Sequence, residues 1–508
     1  MGEIKERIEA TFRLHSLSLV RHPILGSIHL DFCQDYYVGQ QVYTSVVIGA
    51  NGIGKSYLLR ALVEIFCCLE ALQLRGAPTV PQYNFQLTYS SHWQRFEFAN
   101  FREINPADKQ RKYTNFVFKR EGGEVEVQEM ILPKRVIASA TTITDKYVAK
   151  STEMYRYKGL RNENSPSTTG TRTMVRKTVD GLLSSLHEKY GFKTELRDLL
   201  KRLGLQPRLE LSYNLRYKDV FVKEGMTSNE LICIFENQQG LFNRRSDIWG
   251  TSAFRSIKEK EPWKLDEAAR LLNKLARQGY GHGRQLLKYD LLEDDSRVYE
   301  DREALKVLSS LVLLSYPSLK VYKNEDSYEF DQSSSGESSM FCQLVGIMSD
   351  LEPNSLVLID EPENSSHPNW QISYIGWLKS IFEKYLNCHF VISTHSHFML
   401  TDLEPNSSDI VALERNNNVV LDVSEGVNTF NWSVDDILYR VFGVRNTRNQ
   451  AFEDDIMSLY KMVSDGSNDL REIEAKVKKL SMVVLPGNDP LIEILNQARK
   501  YVKDKAAL

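Results

Sequence analysis

The spacing of hydrophobic positions along the chain changes several times, and each change marks an element. Phe12–Val20 (FRLHSLSLV) alternates apolar and polar residues, which predicts a half-buried strand, and Ser27–Phe32 (SIHLDF) reads as its hairpin partner. Tyr43–Ala50 (YTSVVIGA) is a short β-branched run of the kind that forms a strand covered on both faces. Lys55–Leu72 then repeats its apolar residues at helical spacing and is filled with good helix formers. Tyr83–Tyr89, Lys112–Arg120 and Lys134–Ala140 read as further strands.

From about Val179 to Tyr316 the pattern becomes mainly helical, with apolar residues at i, i+3, i+4 and i+7 in DGLLSSLHEKYGF, TELRDLLKRLGL, KLDEAARLLNKLARQGY and DREALKVLSSLVLLSY. RLELSYN and DVFVK are candidate short strands within it. The heptads of a long coiled coil are missing. Ser318–Phe330 reads as a hairpin, Ser338–Leu351 as a helix, Ser355–Asp360 as a buried strand, Asn369–Leu386 as a helix and His389–Thr394 as another buried strand. The last 70 or so residues read as mostly helical and charged. No repeat of fixed period is visible.

Composition narrows the class without naming a function. With 42% apolar and 26% charged residues among 508, the chain reads as a globular protein of several domains with an ordinary core. A net charge of −3 excludes a whole-protein field for nucleic acid or membrane. The best local exception runs from Arg156 to Lys177 and contains Lys158, Arg161, Arg172 and Arg176 against Glu163; it reads either as a solvated loop or as a basic patch. Six cysteines without C-x-x-C spacing read as reduced core thiols, which suggests a cytoplasmic protein. The charged start MGEIKERIEA has no signal core, and no run of about 18 apolar residues predicts a membrane span.

Three motifs carry chemistry. Gly49-Ala50-Asn51-Gly52-Ile53-Gly54-Lys55-Ser56 fits G-x-x-x-x-G-K-[ST] between a buried strand and a helix. In such a loop, Asn51, Gly52 and Gly54 let backbone N–H groups wrap a phosphate at a helix N-terminus, Lys55 neutralises β/γ oxygens and the Ser56 hydroxyl ligates Mg²⁺. Leu356–Pro362 (LVLIDEP) ends a buried strand in two carboxylates: Asp360 can hold Mg²⁺ through water, and Glu361 can orient or deprotonate the attacking water. His395 follows the next buried strand, which should lie beside the Asp360 strand, and can sense a γ-phosphate; His397 competes for that role. The stretch Ser333–Ser339 (SSSGESS) has the composition of a linker, yet it shortly precedes the Asp360 strand.

GANGIGKS, SSGES, LVLIDEPE and ISTHS occur in the order found in ATPase heads of the ABC superfamily, and the chain resembles its SMC/Rad50/RecF/OLD-like branch, AAA-type ATPases of bacterial anti-phage defence included. The resemblance implies an α/β fold, an ABC-type P-loop head with a mainly helical insertion and a helical C-terminal extension. It implies the following organisation: 1–150 as the N-terminal lobe, 151–178 as a basic Ser/Thr-rich loop, 179–314 as the insertion, 315–430 as the C-terminal lobe and 431–508 as the extension. ATP and Mg²⁺ are the implied ligands. A head-to-tail homodimer or higher oligomer is the implied assembly, in which Ser334, Gly336 and Glu337 cap the γ-phosphate bound on the other protomer. DEPENSSHPNWQ, ISTHSHFMLTDL, YRYKGLR and DILYRVFGVRNTRN are similar to segments of the ATPase subunits of Septu and retron defence systems, which partner a separate HNH nuclease. That implies an effector nuclease as partner, with DNA or retron RNA/DNA as a further candidate and no membrane. The chain departs from the pattern in two places: Ser366 replaces a leucine before His367, and KRVIASATTITDK holds no glutamine, leaving Thr142, Thr144 or Asp145 for that role. No toprim or H-N-H signature is visible.

Overall fold

A computed structural model describes residues 11–33, 42–104, 112–161, 171–216, 224–238, 248–280, 285–293, 297–311, 313–385, 387–416, 419–422, 429–442, 450–467, 469–481 and 490–506. The chain forms two compact units, Met1–Ile437 and Leu438–Leu508.

The strands, in chain order, are β1 (Phe12–His22), β2 (Gly26–Asp31), β3 (Tyr43–Gly49), β4 (Asn84–Ser91), β5 (Gln94–Ile104), β6 (Lys112–Arg120), β7 (Gly123–Glu124), β8 (Val136–Ala140), β9 (Tyr155–Lys158), β10 (Leu209–Asn214), β11 (Leu286–Asp290), β12 (Ser318–Lys323), β13 (Asp326–Glu329), β14 (Leu356–Asp360), β15 (His389–Ser393), β16 (Ser408–Asn416) and β17 (Val419–Asp422). They make three sheets, ordered β2-β1-β4-β5-β6-β7, β11-β10-β12-β13 and β17-β16-β3-β15-β14-β8-β9. The third is parallel from β16 to β9. Its central strands β3, β14 and β15 are buried along almost their whole length, which explains their continuous apolar runs. Because these strands run parallel, their C-terminal ends share one edge, where ligands sit in open α/β sheets. The pairs Asp360↔Ser393 and Ser393↔Val47 bring the Asp360, His395 and Gly49 segments together there.

Most expected elements form. The apolar pattern did not announce strand β5, although its Phe98 stacks on Phe116 and Phe118 of β6. Its hairpin turn with β4 has His92 and Trp93 at φ 52° and 66°, the left-handed pair of a type I′ turn without the usual Asn-Gly. Strand β11 was also unannounced; it pairs with β10, which in turn pairs with the β12–β13 hairpin, so the insertion is not wholly helical. The candidate strand DVFVK lies outside the described residues.

His389 ties the two main sheets. It is fully buried; its Nδ1 accepts from the Leu14 N–H at 2.9 Å and its Nε2 faces Ser45 Oγ at 2.7 Å. Burial holds its pKa well below the ordinary 6.5. The neutral ring therefore contributes stability that is complete above 6.5 and is lost as pH falls below it. Denaturant titrations should show stability falling by about 1.4 kcal/mol per pH unit below 6.5 from this group. His389→Gln should remove that part of the slope; an unchanged slope would mean the ring is charged in the fold.

The C-terminal unit packs helices Gln450–Ser464, Leu470–Leu480 and Pro490–Ala506 around Leu459, Ile473, Leu480, Leu491, Leu495 and Ala498. Of the DILYRVFGVRNTRN segment, residues 443–449 lie outside the described residues. No described helix is long and apolar enough to cross a membrane.

Candidate nucleotide site

The Gly49–Ser56 loop leaves β3 and enters the helix Lys55–Gln73. Three glycines in it have positive φ: 150° at Gly49, 77° at Gly52 and 117° at Gly54. A Cβ at Gly49 would lie 2.6 Å from the Leu413 carbonyl oxygen, and one at Gly54 would lie 2.6 Å from Leu25 Cδ2. Side chains are thus excluded where the backbone must form a cradle. Asn51 and Gly52 are exposed at its tip.

Lys55 is buried at 4% exposure, and its ammonium donates to the Gly49 carbonyl at 2.8 Å and sits 2.7 Å from His395 Nε2. Burial pulls its pKa down to about 8, while Glu361, Glu363 and Asp360 oppose that shift. Ser56 donates to Asp360 Oδ1 at 3.1 Å, and Ser393 donates to the same oxygen. Asp360 is 3% exposed; burial raises its pKa, and those two hydroxyls partly restore the ionised form. Among the described residues no cluster of three His, Cys, Asp or Glu could hold a metal alone. The donor set nevertheless fits Mg²⁺, which takes one or two protein oxygens and completes its shell with water and phosphate: Ser56 Oγ and Asp360 Oδ1 are already adjacent at the mouth of an anion cradle.

Glu361 adopts φ 48°, an outlier for a non-glycine residue and more so before Pro362. Its N–H donates to the Ser393 carbonyl, its Oε1 lies 3.4 Å from His395 Nε2, and its Oε2 accepts from Asn364 at 3.1 Å. The His395 hydrogen bond, with Asn364 and the Lys55 charge adding, holds its carboxyl down to about 2, so it is ionised throughout the physiological range. Strain at such a place points to function. His395, not His397, faces Lys55 and Glu361; His397 lies against Phe398 with the rings tilted by 39°.

Glu363, which received no role from sequence, accepts the His395 backbone N–H at 2.6 Å and so fixes the histidine. Its signal was the third carboxylate of LVLIDEPE, two residues beyond Glu361. Thr141 donates to the Glu361 carbonyl at 3.1 Å. Asp145 is not free for the nucleotide: its side chain is fully buried and bound by Arg161 at 2.6 Å and by the Tyr157 hydroxyl at 2.7 Å. Thr142 is half-buried and Thr144 exposed.

SSSGESS is no linker. Ser334 is the N-cap of helix Ser335–Asp350 and its Oγ accepts from the Glu337 N–H at 3.2 Å. The helix therefore begins three residues before the apolar pattern suggests. Glu337 pairs with Lys323 at 3.1 Å. Ser334 and Ser335 are exposed, whereas Gly336 is buried with no room for a Cβ, which would press into the Ser365 carbonyl oxygen. Among the described residues no hydrogen bond joins this turn to the Lys55 loop of the same chain. Gly336→Ala should cost about 1–3 kcal/mol in thermal or denaturant unfolding, because backbone on both sides must move; parental stability would show that the two turns are not packed this closely.

The basic stretch is neither a free patch nor a plain solvated loop in the part described. Lys158 and Arg156 pair with Asp350, Arg161 with Asp145, and Lys177 donates to the Gly159 and Arg161 carbonyls. Residues 162–170, with Glu163, lie outside the described residues, and so does the side chain of Arg172.

A family model described as "AAA domain, putative AbiEii toxin, Type IV TA system" matches residues 164–400, just under half of the chain. No curated protein matches. Among solved structures, the Smc head domain of Pyrococcus furiosus, with an extended coiled coil and bound to the C-terminal domain of ScpA, is 12% identical; the match covers 86% of this chain and 100% of that one, with a TM-score of 0.33. The SMC head domain from Thermotoga maritima is 11% identical over 82% of this chain and 100% of that one, with a TM-score of 0.33. Glycine cradle, buried lysine, and a serine beside a strand-end aspartate give this site the geometry of a P-loop that can hold a nucleotide triphosphate.

Proposed function

We propose that this chain binds and hydrolyses ATP in a head-to-tail dimer, and that its ATP state regulates a separate effector nuclease of the HNH type in an anti-phage defence complex, as in the PtuA subunit of Septu and related retron effectors. The Gly49–Ser56 backbone and Lys55 hold the triphosphate. Ser56 and Asp360 would hold Mg²⁺, which neutralises phosphate charge. Glu361 orients water for in-line attack and accepts its proton. His395, fixed by Glu363, faces the γ-phosphate. Ser334 and the Gly336 N–H, at an exposed helix N-terminus, complete the site on the partner protomer.

One observation carries the regulatory part. Helix Ser335–Asp350, which starts at Ser334, is clamped at its far end to the insertion: Lys189 donates to the Met348 and Leu351 carbonyls at 3.1 and 2.8 Å, and Ser185 donates to that of Ser349 at 3.1 Å. A partner seated on the insertion can thereby bias the nucleotide-capping turn. The test is to purify the chain expressed with its flanking genes. A nuclease should co-purify in a complex larger than a dimer; flanking genes that encode neither nuclease nor reverse transcriptase would overturn the reading.

A RecF/Rad50-like ATPase acting directly on DNA is the second reading. It requires ATP-dependent DNA binding with a steep salt slope. The net charge of −3 and the internally paired Arg156–Lys177 stretch weigh against it.

A further inference from the structure

A cavity of about 650 Å³ opens in the insertion, and none of its lining residues belongs to the nucleotide site. Three arginines line it from three elements: Arg197 from the helix Phe192–Arg202, Arg208 from the position before β10, and Arg297 from the start of the helix Arg297–Ser310. The acids on its wall are Asp290, which ends β11, and Glu293 just beyond it. A volume of this size falls within the roughly 300–1,000 Å³ of small-ligand sites.

Arg197 and Arg208 are held in place and still have donors to spare. Arg208 donates from Nε to Asp290 Oδ2 at 3.3 Å, and its guanidinium lies 4.4 Å from the centre of the Tyr322 ring. Arg197 donates one N–H to the Leu292 carbonyl at 2.6 Å. The two guanidiniums therefore grip positions only two residues apart on one segment. A guanidinium carries five N–H donors, and each of these uses one among the described residues. Asp290 has little left to offer them. Its Oδ1 accepts the Leu292 and Glu293 N–H groups at 3.1 and 3.3 Å, and its Oδ2 is taken by Arg208. Glu293 is exposed, and its carboxylate has no hydrogen-bond or ion-pair partner among the described residues. Asp294 and Asp295, the next acids along the chain, lie outside the described residues.

Guanidinium forks fixed in advance and still holding free donors suit an anion with several oxygens. A carboxylate fills one fork, whereas a phosphate group offers oxygens and charge enough for two. We propose that this cavity binds a phosphate-bearing anion between Arg197 and Arg208, with the charge of Glu293 limiting its affinity. The phosphate belongs either to a free nucleotide or to a nucleic-acid strand. The site is separate from the Lys55 loop and does not depend on the ATP reading of that loop.

The test uses the full chain carrying Lys55→Ala, which removes phosphate binding at the Lys55 loop. Calorimetry at low salt measures the binding of pyrophosphate and of a short single-stranded oligonucleotide. At least one of them should bind, and Arg197→Gln combined with Arg208→Gln should weaken that binding by about 10-fold or more. Glu293→Gln should tighten it by about 3-fold, a gain that damage to the fold would not produce. Pyrophosphate binding that needs both arginines identifies a small ligand; oligonucleotide binding alone, with the same dependence, identifies a strand. Failure of both probes to bind, binding that survives the loss of both arginines, or an affinity unmoved by Glu293→Gln would overturn the proposal. None of these outcomes bears on ATP binding by the parent chain.

Discussion

Glu361→Gln should lower ATP turnover by about 100- to 1000-fold while leaving ATP binding intact, the loss typical of a positioned general base. The side chains are isosteric, and the left-handed backbone at φ 48° is no worse for glutamine than for glutamate. Asn364 can still pair with the amide oxygen, so the turn should persist. What disappears is the carboxylate that His395 and Lys55 keep ionised down to about 2. For the same reason the parent enzyme should show no acidic limb from Glu361 between pH 5 and 8: a depressed carboxyl pKa keeps the base form present until pH falls to that value. Phosphate release measures the turnover, and size-exclusion in ATP should show the variant accumulating as a closed dimer. Parental turnover in Glu361→Gln would remove the residue from the chemistry.

Ser334→Arg should abolish turnover without weakening ATP binding, and Lys55→Ala should abolish binding itself. Ser334 lies at an exposed helix N-terminus, and no hydrogen bond links its turn to its own Lys55 loop in the described residues. An arginine there loses the cap to Glu337, costs about 1 kcal/mol, and fills the place of a partner's γ-phosphate. If each site draws on two protomers, mixing the two inactive variants should restore activity. One dimer face then joins an intact Lys55 loop to an intact Ser334 turn, and random pairing of equal amounts predicts roughly a quarter of the parental rate. No recovery on mixing, with each variant folded and Ser334→Arg still binding ATP, would refute the shared site. Activity in Ser334→Arg alone would do so too.

The chemistry of the site was readable because it depends on short backbone patterns. A glycine loop between a β-branched run and a helix, two carboxylates ending an apolar run, and a histidine after the next such run each need only a few neighbours to be recognised. Parallel pairing of β3, β15 and β14 then gathers them at one edge. Ser334 was legible as a motif, and its place between a hairpin and a helix already spoke against a linker; the structure adds that its oxygen caps the Glu337 N–H.

Other features depend on partners far away in the chain. The basic stretch from Arg156 reads as a solvated loop or a patch until Asp350, nearly 200 residues later, pairs with Lys158 and Arg156. Glu363 gains its part from the His395 N–H across two strands, and the Lys189 clamp requires the last turn of a helix about 160 residues on. The β4–β5 hairpin was hidden because His92 and Trp93 take up a left-handed turn that their residue types do not favour. The phosphate loop, the acidic strand end and the α/β alternation are legible in the residues alone, since local spacing and backbone chemistry suffice for each. Which charges are paired and which helix is anchored to the insertion emerge only on folding, because burial and pairing belong to contacts between distant segments.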